Sequence, residues 1–493
     1  MKKPFILSVL RPFVSKLVLM ALPLIFLSSC EEVLKEETKS LAVETFYNTT
    51  AEVEAATNAI YTPLRSNNTS GMGVYIAVLE AHIDYAYGRG SYTVLNNFQG
   101  LDNVNVSRTA GAWEGFYLSI RNANLVIKNA PNGKAISPAN IAKFVAEAKF
   151  LRAFNYFHLV RNWGAVPIRT EANMTDVDAK RNSPEEVYNL ILADLKDAEA
   201  NLPDQVTQSG RPSKLVAKTV LADVYLQLGR FAEARDKADE VIKAKKYALV
   251  PVSSTEDFQK IFGPAVITTS EEIFYLKYSH QTGQGNLWPW LTNHPGTKLH
   301  GGGGVYGHHS DTTNPVYANW DNKDLRKGQW YSWNIGIGAT SLLNKKFIDP
   351  DAIGGPGAAN DAPFYRYADL LLIYAEAASQ AGNGPTAEAL EALNQVHRRA
   401  YGLAPTAVSA IDFKLADYNA ATFLDLVIKE RGYEFQYEGK RWLELKRTGK
   451  ARAIILATKG KTIAEMAFLW PIAVSELGYN KAIDPVKDQN PGY

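Results

Sequence analysis

The residues best suited to bind a ligand are aromatic residues in two loop-like stretches. The stretches Tyr85 to Asn105 and Gln281 to Gly357 are rich in Gly, Asn and aromatic residues and lack a sustained helical or strand period. Flat aromatic rings can stack on the C–H-rich faces of sugar rings, while Asn and Arg bond sugar hydroxyls. The candidate ligand-binding residues are Tyr85, Tyr87, Arg89, Tyr92, Trp288, Trp290, Tyr306, Trp320, Trp330 and Trp333.

The same aromatic residues have two alternative uses. They can anchor long loops to the rest of the fold, or they can pack against a partner protein. Residues 247–361 hold five of the nine tryptophans, and so long a stretch without regular structure is uncommon unless it is functional. The sequence leaves ligand binding, loop anchoring and protein contact all open.

Histidines concentrate in the second stretch, close to Asp311. Five of the eight lie within residues 247–361: His280, His294, His300, His308 and His309. A zinc site needs three or four ligands that converge with tetrahedral geometry. Spacings of 14, 6, 8 and 1 match no standard motif. We therefore predict no metal and no cofactor.

Paired carboxylates for catalysis are the next possibility, and Glu430 and Glu434 are the closest match. Glycosidases place two carboxylates on opposite sides of a sugar bond, about 5 Å or about 6.5–9.5 Å apart. Glutamates one helical turn apart instead share a face, in a segment where acidic and basic residues alternate. They are expected to form ion pairs between packed helices. We predict no catalytic residues and no enzyme activity.

Length and charge bound the class of protein. A chain of 493 residues with 46% hydrophobic content can bury a sizeable core. Its 53 basic and 51 acidic side chains give a net charge of +2, so charge implies no nucleic-acid partner.

The N-terminus predicts export and a lipid anchor. Basic residues precede an apolar run of 11 residues, Leu17 to Leu27, which is shorter than the roughly 20 needed to span a bilayer. The sequence Leu27-Ser28-Ser29-Cys30 is similar to a bacterial lipobox, and Cys30 is the single cysteine. We expect residues 1–29 to be a lipoprotein signal peptide, Cys30 to be acylated, and residues 30–40 to form an acidic tether.

Helical patterns dominate the rest of the chain. Three stretches can be superimposed on Gly164, Gly229 and Gly382, with large apolar or aromatic residues eight positions earlier. The middle one continues as a short turn and an Ala-rich helix, similar to a tetratricopeptide repeat. The second helices of the three pairs are predicted at Pro184 to Leu202, Phe231 to Ala244 and Thr386 to Tyr401.

We therefore predict a mostly α fold, a tetratricopeptide-like helical repeat array with a loop-rich irregular lobe. A single domain should cover residues 41–493. Its helical repeats are expected at about 41–246 and 362–440, its loop-rich ligand lobe at about 247–361, and a C-terminal extended segment at about 441–493.

Four separated segments resemble the SusD/RagB family of outer-membrane nutrient-binding lipoproteins. They are AEAKFLRAFNYFHLVRNWGAVP from Ala146, YRYADLLLIYAEAA from Tyr365, IKERGYEFQYEGKRWLELKRTG from Ile428, and LWPI with QNPGY near the C-terminus. With the lipobox they span nearly the whole chain. One departure is Ala473, where the family more often has a second proline.

The resemblance implies four tetratricopeptide-like helix pairs and a location on the outer membrane, lipid-anchored and facing the cell exterior. It also implies a partnership with a TonB-dependent SusC-like transporter and an oligosaccharide ligand. The alternative is a transporter lid for peptide or another non-glycan nutrient, in which the loop aromatics serve protein contact.

Overall fold

Packed helices make up most of the chain, as the sequence predicts. The computed structural model describes residues 46–69 and 73–493. In chain order its α-helices are α1 (Thr50–Leu64), α2 (Val74–Ala81), α3 (Asn103–Asn129), α4 (Pro138–Trp163), α5 (Pro184–Asn201), α6 (Lys214–Gln227), α7 (Phe231–Lys243), α8 (Gln259–Phe262), α9 (Trp288–Thr292), α10 (Pro315–Ala318), α11 (Tyr367–Ala381), α12 (Ala387–Ala400), α13 (Ala420–Glu434), α14 (Arg441–Arg447), α15 (Ala451–Lys459) and α16 (Val474–Tyr479). The strands are β1 (Tyr87–Gly88), β2 (Glu272–Leu276), β3 (His308–Asp311), β4 (Trp330–Ser332), β5 (Ser341–Asn344) and β6 (Ala362–Arg366).

The helices form a continuous array of the predicted repeat type. Successive helices from α3 to α7 pack on one another, α1 packs on α3, and α11 packs on α7 although more than a hundred residues separate them in sequence. Helices α12 and α13 then pack on α11. The second helices of the three predicted pairs are α5, α7 and α12, so the prediction of their positions is confirmed.

Local sequence signals explain where these helices begin and turn. Helix α5 begins at a capping box in which Ser183 and Glu186 satisfy each other's backbone N–H groups. Between α6 and α7, Gly229 has φ +69°, a left-handed conformation that glycine adopts without the steric cost of a Cβ. The turn can therefore be tight, and α7 packs back on α6.

A buried ion network joins the end of the array to the lobe. The Arg366 guanidinium lies 2.7 Å from Glu271 and 2.5 Å from Glu434, and Arg326 lies 3.0 Å from Glu430. A buried charge without a partner is costly, so each of these groups depends on the others. The network comprises Glu271, Asp324, Arg326, Lys346, Arg366, Arg399, Glu430, Glu434 and Glu438.

The lobe between α7 and α11 contains short elements. An antiparallel sheet has the strand order β1-β3-β5-β4, so its first strand comes from the early loop and the other three from the insertion. A second pair of antiparallel strands, β2 and β6, leads directly into α11. The first five residues of the predicted helical segment at 362 are therefore strand, because they pair with β2 instead of forming helical hydrogen bonds.

The prediction of an extended segment at about 441–493 is wrong for much of that range. Helices α14, α15 and α16 lie within it. In α15, Ala451 and Ile455 are buried one turn apart, and Gly460 ends the helix with φ 63°. The apolar pattern of α15 covers only about two turns, and residues further along are extended. So short a pattern is a weak sequence signal for a helix.

The C-terminal residues form a strap across the end of α4. The Trp163 indole N–H donates to the Pro471 carbonyl at 2.9 Å, and the Asn490 side chain donates to the Trp163 and Trp470 carbonyls. The Trp163 and Trp470 rings meet edge to face with centroids 5.0 Å apart. The strap therefore closes the core at the end of the first long repeat helix.

The predicted signal peptide, Cys30 and the acidic tether lie outside the described residues. Tyr47–Tyr493 clusters as one compact unit. Among its described residues no helix has the length and apolarity needed to cross a membrane.

Candidate ligand-binding site

Five of the ten candidate residues are buried, namely Tyr85, Tyr92, Trp288, Trp320 and Trp330. Trp320 stacks on Tyr433 of α13 with centroids 4.1 Å apart, and its indole N–H donates to Asp324 at 2.8 Å. Trp288 is fully buried and meets Tyr437 edge to face at 5.3 Å. These contacts match one of the alternatives left open by the sequence, in which aromatic rings anchor the lobe to the helices.

The other three buried rings have comparable roles. The Trp330 indole N–H donates to the Gln436 side chain at 2.5 Å. The Tyr85 hydroxyl donates to Glu80 at 2.5 Å and accepts from the Tyr437 backbone N–H at 2.8 Å. The Tyr92 ring is covered by the Arg108 guanidinium at 3.9 Å.

The remaining candidates are half-buried, and four of them lie on one surface. The Arg89 guanidinium lies 4.1 Å from the centroid of the Tyr306 ring. His294 lies against Tyr306 at 4.4 Å and against Trp333 at 5.6 Å, while His309 stacks on Tyr87 at 5.5 Å. We call this set the aromatic ledge: Tyr87, Arg89, His294, Tyr306, His309 and Trp333.

Short strands and backbone bonds hold the ledge in place. Tyr87 of β1 pairs in register with His309 of β3, which brings the early loop beside the insertion. The Arg89 backbone N–H donates to the Gly307 carbonyl at 2.8 Å, and the Tyr306 N–H donates to Asn293 at 3.0 Å. Since these bonds are made by the backbone, the positions of the ledge side chains follow from the sheet.

Two glycines give aromatic rings space next to the backbone. A Cβ at Gly296 would lie 3.0 Å from the Trp333 ring, and one at Gly355 would lie 3.3 Å from the Trp290 ring. Trp290 is half-buried like the ledge residues, but its ring contacts Gly355 rather than the ledge. It is therefore a neighbouring aromatic surface.

Burial disfavours the charged form of two histidines at and below the ledge, His309 and His308. Burial lowers the pKa of His308 to about 4, and burial also lowers the pKa of His309. Next to them, burial lowers the pKa of the Lys459 ammonium, which lies 4.0 Å from the centroid of the Tyr87 ring, to about 7. The ledge therefore combines flat neutral rings with a few basic groups.

The histidines serve as packing and hydrogen-bonding groups. His308 shares a 2.8 Å hydrogen bond with the Ala77 carbonyl, and His280 lies 2.8 Å from Asp349. Among residues 46–69 and 73–493, no three His, Cys, Asp or Glu side chains come together in a way that could hold a metal ion.

Glu430 and Glu434 are buried members of the ion network. Nearby arginines lower the pKa of both carboxyls against the effect of burial, to about 2 for Glu430. The predicted pairing between packed helices is confirmed for Glu434 with Arg399 of α12, whereas the other arginine partners, Arg326 and Arg366, lie in the lobe and at the end of β6.

Sequence reasoning missed His294 and His309 as members of the aromatic ledge, and Lys459 as its neighbour. The two histidines were considered only as metal ligands, and Lys459 lay in a segment expected to be extended. The four-residue alternation of buried and half-buried positions in β3 is too short to be recognised as a strand without its partner.

The helical array and the aromatic ledge together define the class of protein: it is a helical-repeat protein that presents an aromatic surface on an inserted lobe. Family models match both ends of the chain. One described as "SusD family" matches residues 311–493, and one described as "Starch-binding associating with outer membrane" matches residues 34–226.

Similar proteins agree with this class. SusD-like protein P2 of Formosa agariphila is 30% identical over 515 residues, covering 95% of this chain and 98% of the relative. A SusD-like protein of Bacteroides ovatus is 27% identical, covering 87% of this chain and 82% of its own length. The chain belongs to the SusD family, also called SusD/RagB, whose members are outer-membrane associated.

Solved structures share the fold. A SusD homologue of Bacteroides thetaiotaomicron superposes with a TM-score of 0.77 at 20% identity, covering 92% of this chain and 98% of the homologue. A laminarin-binding SusD-like protein superposes with a TM-score of 0.73 at 24% identity, covering 91% of this chain and all of its own.

Proposed function

We propose that this protein is a cell-surface lipoprotein that captures an oligosaccharide and delivers it to a TonB-dependent SusC-like transporter, without breaking bonds in the sugar. The observation that carries the proposal is the aromatic ledge. Half-buried rings side by side, with polar groups between them, suit the alternating apolar faces and hydroxyls of a glycan.

The comparisons support the same function. One similar structure is a laminarin-binding protein, another is a surface glycan-binding protein A of Bacteroides fluxus, and one matching family model has starch binding in its description. The ledge lies on the lobe, so the helical array remains available to dock on a transporter.

Two observations support a binding role without catalysis. The glutamates considered for catalysis, Glu430 and Glu434, are buried and held by arginines. The ledge itself carries no carboxylate among its six residues, so it lacks the acid and base groups of a glycosidase.

Glycan binding can be tested with the full-length protein purified in detergent. A glycan array identifies ligands, and calorimetry then measures their affinity for the wild type and for Trp333→Ala and Tyr306→Ala. We expect each variant to bind about tenfold more weakly or worse, because a stacking surface is removed.

Tyr479→Ala is the matched control, since this tyrosine is 78% exposed on α16, away from the ledge. It should bind like the wild type. Failure of every glycan to bind, with binding of peptides instead, would replace this proposal with the non-glycan lid. Co-purification of a TonB-dependent channel with the tagged protein tests the delivery step.

A further inference from the structure

Arg89 has no acidic partner on the ledge. Its guanidinium lies over the Tyr306 ring and forms no ion pair or side-chain hydrogen bond with the described residues. Other arginines of the fold behave differently: Arg441 lies 2.6 Å from Asp84, and Arg447 lies 2.6 Å from Glu376. The Arg89 N–H donors are therefore available to a group outside the protein.

Basic groups near the ledge bond mainly to neutral acceptors. Lys459 donates to the Ala86 carbonyl and lies against Tyr87. Arg108, which covers Tyr92, donates to the Asn105 side chain and to the Ser91 hydroxyl, both at 2.7 Å. This edge of the lobe thus has two guanidinium cations, Arg89 and Arg108, close to the aromatic rings, together with the Lys459 amine, whose pKa burial lowers to about 7.

Among the described residues, the carboxylates nearby form no ion pair with Arg89, Arg108 or Lys459. Asp311 of β3 accepts from Thr313 and Thr340, and Asp84 pairs with Arg441. Because the whole chain has a net charge of only +2, the positive character of this edge is local. A local positive surface attracts anionic ligands and discriminates against cationic ones.

We infer that the ledge takes an anionic glycan, whose carboxylate or sulfate groups pair with Arg89 while its sugar rings stack on Tyr306 and Trp333. This inference rests on the proposed function and names its ligand class. An arginine fork offers paired N–H donors that match the two oxygens of a carboxylate or sulfate, which a lysine cannot reproduce in geometry.

The test compares three oligosaccharides of equal length with the full-length protein in detergent: a neutral β-glucan, a uronate polymer and a sulfated galactan. Calorimetry is done with the wild type, Arg89→Gln, Arg89→Lys and Trp333→Ala. We expect an anionic ligand to bind most tightly, and to weaken about tenfold or more with Arg89→Gln. Arg89→Lys should lose less affinity for the anionic ligand than Arg89→Gln does, because it keeps the positive charge although it loses the paired N–H donors.

Salt provides a second measurement. Affinity of the wild type for the anionic ligand should fall as ionic strength rises, and this dependence should shrink in Arg89→Gln. A preference for the uronate or for the sulfated chain identifies which anion the fork recognises. The neutral glucan should lose less affinity on Arg89→Gln than the anionic ligand does, because only a hydrogen bond to a neutral hydroxyl is removed.

The outcomes separate the two proposals. Tightest binding of the neutral glucan, with loss on Trp333→Ala and none on Arg89→Gln, would overturn the anionic ligand and leave glycan binding intact. Equal weakening of neutral and charged ligands by Arg89→Gln would also overturn it. Absence of binding to all three would overturn the anionic ligand, and would overturn both proposals if no glycan on the array binds either. Glycan binding that is indifferent to Trp333→Ala would also overturn both.

Discussion

Glu434 is the carboxylate on which three arginines from separate parts of the chain converge. Arg326 comes from the lobe, Arg366 from the end of β6 and Arg399 from α12. All four side chains are at most 2% exposed. Glu434 is therefore the carboxylate that three buried cations share, although each of them also pairs with a second carboxylate of the network.

We expect Glu434→Gln to lower the free energy of unfolding by about 3–5 kcal/mol, because buried guanidinium groups would lose their shared partner. Glu233→Gln is the control, since Glu233 pairs with Arg230 in an exposed position and should cost at most about 1 kcal/mol. Urea unfolding of the purified proteins measures both. Equal losses in the two variants would contradict the role of the network.

Glu80 gives stability a dependence on pH. Burial raises the pKa of its carboxyl from 4.5 to about 7, even though Tyr85 and Gly439 donate hydrogen bonds to it. A raised folded-state pKa means that this contribution to stability is full below the unfolded value and is lost as the pH rises through about 7.

We predict that the wild type loses about 2–3 kcal/mol of stability relative to Glu80→Gln between about pH 5 and about pH 8. The variant cannot ionise at this position, so it lacks this part of the dependence. Urea unfolding of both proteins at the two pH values provides the comparison. A difference that stays constant with pH would show that Glu80 does not titrate in this range.

Sequence alone could not separate the buried tryptophans of the lobe from the partly exposed ones. Trp320 and Trp333 lie in similar Gly- and Asn-rich surroundings, yet Trp320 is 3% exposed on Tyr433 while Trp333 is half-buried beside His294. The difference comes from partners distant in the chain, which local composition does not encode. Half of the candidate set consequently packs in the interior.

At the scale of elements, the helices were predictable because their signals are local. Helix α5 begins just after Ser183, at Pro184, and α7 begins just after the turn at Gly229. Both starts lie within one residue of the predicted ones. The lobe strands were not predictable, since β1 has two residues and gains its strand character only by pairing with β3. Register between segments this far apart is set by tertiary contact.

The turn between α6 and α7 allows a direct test of backbone conformation. We expect Gly229→Ala to cost about 1–2 kcal/mol, because a Cβ disfavours the positive φ at this position. Space is not the reason, since nothing lies within 4 Å of that Cβ.

Gly384 provides the control for this substitution. It lies in the equivalent turn before α12, also has open space at its Cβ, and is not among the positive-φ glycines. Gly384→Ala should leave the urea midpoint nearly unchanged. A matching loss in both variants would show that chain flexibility, rather than the sign of φ, determines the cost.

At the scale of the whole molecule, we expect attachment to the membrane to depend on Cys30. We predict that Cys30→Ser moves the protein from the membrane fraction to the soluble fraction, because stable anchoring requires acyl chains on that residue. Fractionation followed by immunoblotting measures the distribution. Intact-mass analysis of the wild type should show the added acyl groups, and an unmodified mass would contradict the anchor.

The strap across α4 has a consequence for the order in which the protein is completed. Trp163 and its acceptor at Pro471 are 308 residues apart in sequence. Rings of α3 cover one side of Trp163, but the side that meets Trp470 stays uncovered until the last part of the chain has emerged. A polypeptide that stops short of this segment leaves aromatic surface bare and open to aggregation. Completion of the native state is thus tied to completion of the chain, and premature termination yields a product that is prone to quality-control degradation rather than a shorter working receptor.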